Sequence, residues 1–123
     1  MVAYLKSKIH CAKVTSKSLH YDGSITIDAK LMAEVGFREY EKVLVANLAN
    51  GNRFETYIIS GRAGSGEIIL NGATAHLGQV GDPLTIMSFI LLNEQQAQQH
   101  RPRCITLDEE NKPLPNVPPT VAV

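Results

Sequence analysis

Asn50-Gly51 stands between two runs, residues 42–49 and 53–60, and an Asn-Gly pair in that setting is among the strongest short-range signals for a β-hairpin. Similar punctuation recurs along the chain. Asp22-Gly23 precedes the β-branched stretch 24–27, and the loop 61–66 leads into an apolar strand at 67–70 and a second pair, Asn71-Gly72. Gly81-Asp82-Pro83 opens a strand over 84–92, while 8–14 and 103–107 read as further strands. Two brief helices interrupt this pattern. Leu31, Met32 and Val35 recur at helical spacing over 29–35, with Asp28 as N-cap and Gly36 as the stop. Asn93 caps a polar helical turn over 94–99. Six or so short strands would leave exposed edges unless the sheet closes, so the expectation is a mainly β fold: a small closed β-barrel with two short helices.

At 123 residues the chain has the size of a single domain and is long enough to bury a core without staples. Pro113, Pro115, Pro118 and Pro119 predict an extended or mobile tail from about residue 113 to 123. Twelve Lys and Arg balance twelve Asp and Glu, which leaves no field to gather a polyanion and argues against nucleic acid as partner. The first residues lack a signal-peptide core, and the most apolar run, 84–92, is too short to span a bilayer. Cys11 and Cys104 lie far apart with no Cys-x-x-Cys, so a reducing cytoplasmic setting is expected and a membrane one is not.

Common catalytic signatures are missing: there is no phosphate-cradling Gly-rich loop, no His-Glu-x-x-His and no Gly-x-Ser-x-Gly. His10, His20, His76 and His100 are scattered, and no metal site is expected from them. The unusual feature is Tyr21-Asp22-Gly23-Ser24 at the entrance to a β-branched strand. Glycine permits strained backbone there, and serine supplies an internal nucleophile. Attack of Ser24 Oγ on the Gly23 carbonyl would replace the amide by an ester; β-elimination and hydrolysis would then leave a pyruvoyl group at the new N-terminus. Gly64-Ser65 contains the same pair, so the alternative for either is an ordinary turn.

A wider set of segments carries more information. Lys8-Ile9-His10, Val14-Thr15, Leu19-His20-Tyr21-Asp22-Gly23-Ser24, Asn50-Gly51-Asn52-Arg53-Phe54-Glu55-Thr56-Tyr57, Asn71-Gly72-Ala73-Thr74-Ala75-His76, Gly81-Asp82 and Arg101-Pro102 follow one another in order. In this the chain resembles the pyruvoyl-dependent aspartate 1-decarboxylase family over nearly its whole length. The resemblance implies a double-psi β-barrel in a homotetramer with active sites at subunit interfaces. It also implies autocatalytic cleavage at Gly23-Ser24, with Ser24 becoming the covalent pyruvoyl cofactor in place of pyridoxal phosphate or a metal. Cleavage of this kind is either spontaneous or assisted by a maturation helper protein. L-Aspartate would join the pyruvoyl ketone as a Schiff base and leave as β-alanine and CO₂, supplying pantothenate synthesis.

Residue roles follow from the same resemblance. Arg53 offers a planar fork to the retained carboxylate and Lys8 a point charge. Tyr57 would be the proton donor, four residues from Arg53 on one face of a strand, and Thr56 on the other face would handle the precursor's carbonyl during cleavage and contact substrate. Gly72, Ala73 and Thr74 would pack against substrate, Asn71 would steady the oxyanion or ester, and His10 and Tyr21 would line the site. Ala46 stands where well-known relatives carry tryptophan, Thr74 where alanine is common, and Asp22 where some have glutamate. Two other readings remain at this level: a binding barrel in which Gly23-Ser24 is only a turn, and a relative acting on glutamate.

Overall fold

A computed structural model describes residues 1–115. Its elements are β1 (Val2–Lys13), β2 (Ser16–Ser18), β3 (Ser24–Asp28), α1 (Ala29–Val35), β4 (Lys42–Asn47), β5 (Arg53–Gly61), β6 (Ile68–Asn71), a 3-10 helix (Gly72–His76), β7 (Pro83–Leu92), α2 (Glu94–Gln99) and β8 (Arg103–Thr106). The fold is mainly β, as the alternation predicts. The eight strands join in one mixed sheet, ordered β2-β6-β3-β5-β4-β7-β1-β8.

That order brings distant parts of the sheet together. β1 lies next to one end and β2 forms the other, yet only Val14 and Thr15 separate them in sequence. The sheet must therefore curl back on itself. At the seam the Thr15 N–H donates to Ile68 O at 2.8 Å, and the Ile68 N–H donates to Thr15 Oγ1 at 3.0 Å. Asn111 completes the join: its Oδ1 accepts from the Lys13 N–H at 2.8 Å, and its Nδ2 donates to Lys13 O and Gly66 O, each at 2.9 Å. Ile9, Ile25, Ile27, Val43, Val45, Ile58, Ile68, Leu70, Leu84 and Ile86, from six strands, fill one shared core. Alternation then sends the intervening residues of these strands to the outer face.

The hairpin forms between β4 and β5, in register from Lys42↔Tyr57 to Ala46↔Arg53, with residues 48–52 as its connection and Gly51 at φ +78°. α1 occupies its expected span. The Asp28 Oδ1 accepts from the Lys30 N–H at 2.8 Å, Gly36 adopts φ +75°, and Arg103 Nη2 donates to Ala33 O and Glu34 O at the far end. α2 carries a capping box between Asn93 and Gln96. β1 begins at Val2 rather than near residue 8, because it pairs with β7 from Val2↔Leu92 to Lys13↔Pro83. Asn71-Gly72 is no free turn: Asn71 ends β6 and Gly72 starts the 3-10 helix. Of the expected tail, Pro113 forms a bridge with Leu107 and the Leu114 N–H donates to Thr106 O at 2.8 Å, while 116–123 lie outside the described residues.

Asp28 anchors the loop after β5 as well as α1. Its carboxylate also accepts from the N–H groups of Gly64 and Gly66, each at 2.9 Å. Burial pushes the Asp28 carboxyl up, but the N–H donors of Gly66, Lys30 and Gly64 outweigh it and hold the group below its ordinary range. A lowered folded-state pKa gives stability that is present above the unfolded value and is lost as pH falls through the folded one. Asp28→Asn is expected to lower unfolding free energy at pH 7 by about 1–3 kcal/mol. Urea titration checks this, and the gap from wild type should shrink in acid.

Candidate active site

Ser24 opens β3 directly after the Asp22-Gly23 turn and is fully buried. Its partner in the antiparallel β3/β6 pair is Asn71. One Asn71 side-chain amide nitrogen serves two hydroxyls: Nδ2 donates to Ser24 Oγ and to Thr26 Oγ1, each at 2.9 Å. The Ser24 hydroxyl in turn points at Asp22 O, 3.4 Å away. Thr74 reaches back from the 3-10 helix, with Oγ1 2.8 Å from Asn71 O and 3.2 Å from Ser24 O. The turn and the 3-10 helix thus cover the outer face of β3 at its start.

Gly72 makes this close fit possible. It has φ +61°, and a Cβ built on it would lie 2.6 Å from Tyr21 O and 2.8 Å from Gly23 N. No other residue fits there without displacing the turn. Gly23 itself lies outside the left-handed region and has open space where a Cβ would stand. The close approach that requires glycine is therefore at Gly72.

β3 and β5 run parallel with Ile25↔Ile58 as their first paired residues, so Ser24 and Tyr57 stand one step before that pair on neighbouring strands. Phe54 and Ile58 pack on the core, which assigns Arg53, Glu55 and Tyr57 to the outer face and Thr56 to the inner one. Glu55 pairs across the hairpin with Lys42 at 3.4 Å, not with Arg53. Lys42, Glu55, Thr56 and Tyr57 border a shallow depression. Ala73 is exposed on the 3-10 helix, and Tyr21 is 55% exposed.

Lys8 and His10 form a second group on β1. Lys8 is buried opposite Met87 and Cys104, and His10 Nδ1 lies 3.0 Å from Thr85 Oγ1. Burial, then the positive charges of Lys8 and Lys13, push the His10 pKa below its ordinary value, so its imidazole is neutral at pH 7. Arg53 faces this group through the row Arg53↔Ala46↔Thr85. From β3 to β1 the order takes four strand steps through β5, β4 and β7, or passes the other way through β6, β2 and the seam. The direct line crosses the core. Within one chain, Gly23, Ser24, Tyr57, Asn71, Gly72 and Thr74 come together, whereas Lys8 and His10 stand apart.

Residues 1–114 match the family described as aspartate decarboxylase. The chain belongs to the aspartate decarboxylase family. It is 54% identical to the aspartate 1-decarboxylase of Caldicellulosiruptor bescii over 111 residues, covering 90% of this chain and 87% of that one. It is 51% identical to the Clostridium acetobutylicum protein of the same name, covering 87% of this chain and 84% of the other. With the Campylobacter jejuni subsp. doylei aspartate 1-decarboxylase it shares 51% identity across 89% and 86% of the two chains.

Two partners in this aspartate decarboxylase family member escape motif reading. Thr26 shares the Asn71 amide with Ser24, and Thr85 holds His10. Ser24 and Thr26 are two apart on a strand, a spacing that puts both hydroxyls on one face, so the first partner has a local sequence signal. Thr85 has none, because its neighbourhood is made by β1/β7 pairing across 75 residues.

Proposed function

We propose that this member of the family is an aspartate 1-decarboxylase that cleaves itself between Gly23 and Ser24 and turns L-aspartate into β-alanine and CO₂. The observation that carries the reading is the buried Ser24 hydroxyl, held by Asn71 Nδ2 at 2.9 Å directly after Gly23. Attack moves the Gly23 acyl group from the Ser24 nitrogen to its oxygen, and the Asn71 amide stays within reach of that oxygen as it becomes the ester oxygen. The surroundings fit a small carbonyl group at residue 24: its neighbours are uncharged donors and the backbone at Gly72. A pyruvoyl group there supplies a ketone for the substrate amine and a sink for the electron pair left when CO₂ departs.

The chain's own residues do the rest. Arg53 grips the carboxylate that is kept, with Lys8 adding charge, so the other carboxylate is the one left in less polar surroundings. Tyr57, level with Ser24 on the adjoining strand, delivers a proton to the former α-carbon. Thr56 and the backbone of Gly72, Ala73 and Thr74 flank the substrate, and Tyr21 and neutral His10 line the opening. The chain assembles as a homotetramer, in which one copy's Ser24 would face another's Lys8 and His10. β-Alanine made this way serves pantothenate synthesis in the cytoplasm.

Incubating the purified protein with L-aspartate or L-glutamate and separating the amines tests the reading. β-Alanine should form, with 4-aminobutyrate slower by roughly 10-fold or more, since one methylene is worth about 1–3 kcal/mol. Absence of β-alanine from a processed chain contradicts it.

A further inference from the structure

We propose that the Thr74 hydroxyl is a catalytic group in self-processing, donating to the Ser24 carbonyl oxygen as that oxygen gains charge during β-elimination. The inference rests on the self-cleavage reading above. Thr74 is buried at 6% exposure in the 3-10 helix, and its Oγ1 sits 3.2 Å from Ser24 O and 2.8 Å from Asn71 O. A hydroxyl has one proton to give. Two carbonyl oxygens compete for it, and the nearer, Asn71 O, holds it while both are neutral. Any negative charge that builds on Ser24 O turns the competition toward that oxygen by rotation of one O–H bond, with no heavy atom moving.

Self-processing puts charge there. After the acyl shift, the Gly23 carbonyl is bonded to Ser24 Oγ and residue 24 carries a free amine. Loss of the Ser24 Cα proton to solvent sends its electron pair onto Ser24 O as an enolate. The pair then returns to form the Cα=Cβ bond as the Cβ–Oγ bond breaks, and Gly23 leaves as a carboxylate. The resulting enamine takes up one water, releases ammonia and becomes the ketone. The enolate is the stage at which Ser24 O is most negative, and a preorganised donor is most effective there. Asn71 Nδ2 acts at a different atom, Ser24 Oγ, which is the leaving oxygen of the same elimination, so the two donors serve opposite ends of the rearranging bonds. Gly72 at φ +61° sets the turn of the 3-10 helix that delivers Thr74 to this position.

The test compares freshly purified wild type with Thr74→Ala, the isosteric Thr74→Val and the hydroxyl-restoring Thr74→Ser. Cleavage is followed by intact mass, and the ester by neutral hydroxylamine, which splits the ester but not the peptide and leaves a 24–123 fragment still beginning with serine. Losing one oxyanion donor costs roughly 100- to 1,000-fold, and a shared donor at longer range should cost less, about 10-fold or more. Thr74→Ala and Thr74→Val should therefore mature at least about 10-fold more slowly while the hydroxylamine-labile fraction rises, and Thr74→Ser should recover most of the rate. Maturation of both hydroxyl-free variants at the wild-type rate overturns the proposal. So does slowing without ester accumulation, which would move Thr74 to the acyl shift. A wild-type chain that neither cleaves nor forms a labile bond removes the self-cleavage reading, and this inference with it.

Discussion

Ser24→Ala folds, stays a single chain and makes no β-alanine from L-aspartate. The fold survives because little depends on the hydroxyl. Removing it frees Asn71 Nδ2 of one acceptor, but Thr26 Oγ1 remains at 2.9 Å, and the Ser24↔Asn71 strand pair is made by backbone. One buried donor left partly unsatisfied costs about 1–3 kcal/mol, short of what unfolds a domain with typical stability of about 5–15 kcal/mol. Activity has no such reserve. Without Oγ there is no acyl shift, no ester and no carbonyl at residue 24. Circular dichroism, a denaturing gel and a β-alanine assay on one preparation read all three consequences. Decarboxylation by this variant at the wild-type rate would exclude Ser24 as the source of the cofactor.

Tyr57→Phe separates processing from turnover. Tyr57 is level with Ser24 but on β5, and it does not enter the hydrogen-bond network of Ser24, Thr26, Asn71 and Thr74. The variant should mature to two fragments like wild type. Its kcat for L-aspartate should fall by roughly 100- to 10,000-fold, the usual worth of a positioned general acid. KM should change little, because in the proposed arrangement Arg53 and Lys8 still hold the retained carboxylate. Failure to cleave would assign the phenol to processing and contradict this division of roles.

How much of this could be read from the chain depends on the range of each cause. The hairpin at Asn50-Gly51, α1 between Asp28 and Gly36, and α2 after Asn93 are made by residues adjacent in sequence, and all three form. β2 is not visible because Ser16-Lys17-Ser18 has no apolar alternation and becomes a strand only by pairing with Ile69 to Asn71. The site shows the same divide. Gly23-Ser24 is conspicuous locally, and the segment Asn71 to Thr74 is recognisable by resemblance. That the Asn71 amide should touch Ser24 Oγ across 47 residues follows only from the β3/β6 register. Gly72 likewise carries a steric role that local reasoning assigns to Gly23, because what it approaches is the backbone of a distant turn. The distance between Lys8 and Ser24 is a property of strand order, to which periodicity is blind.

An intact mass spectrum of the purified protein under denaturing conditions, before and after mild heating, tests the central claim most directly. Self-cleavage predicts two fragments meeting between Gly23 and Ser24, the larger lighter by one ammonia than a chain starting with serine. A single full-length mass that persists after heating and after incubation with a cell extract able to supply a maturation helper would contradict it.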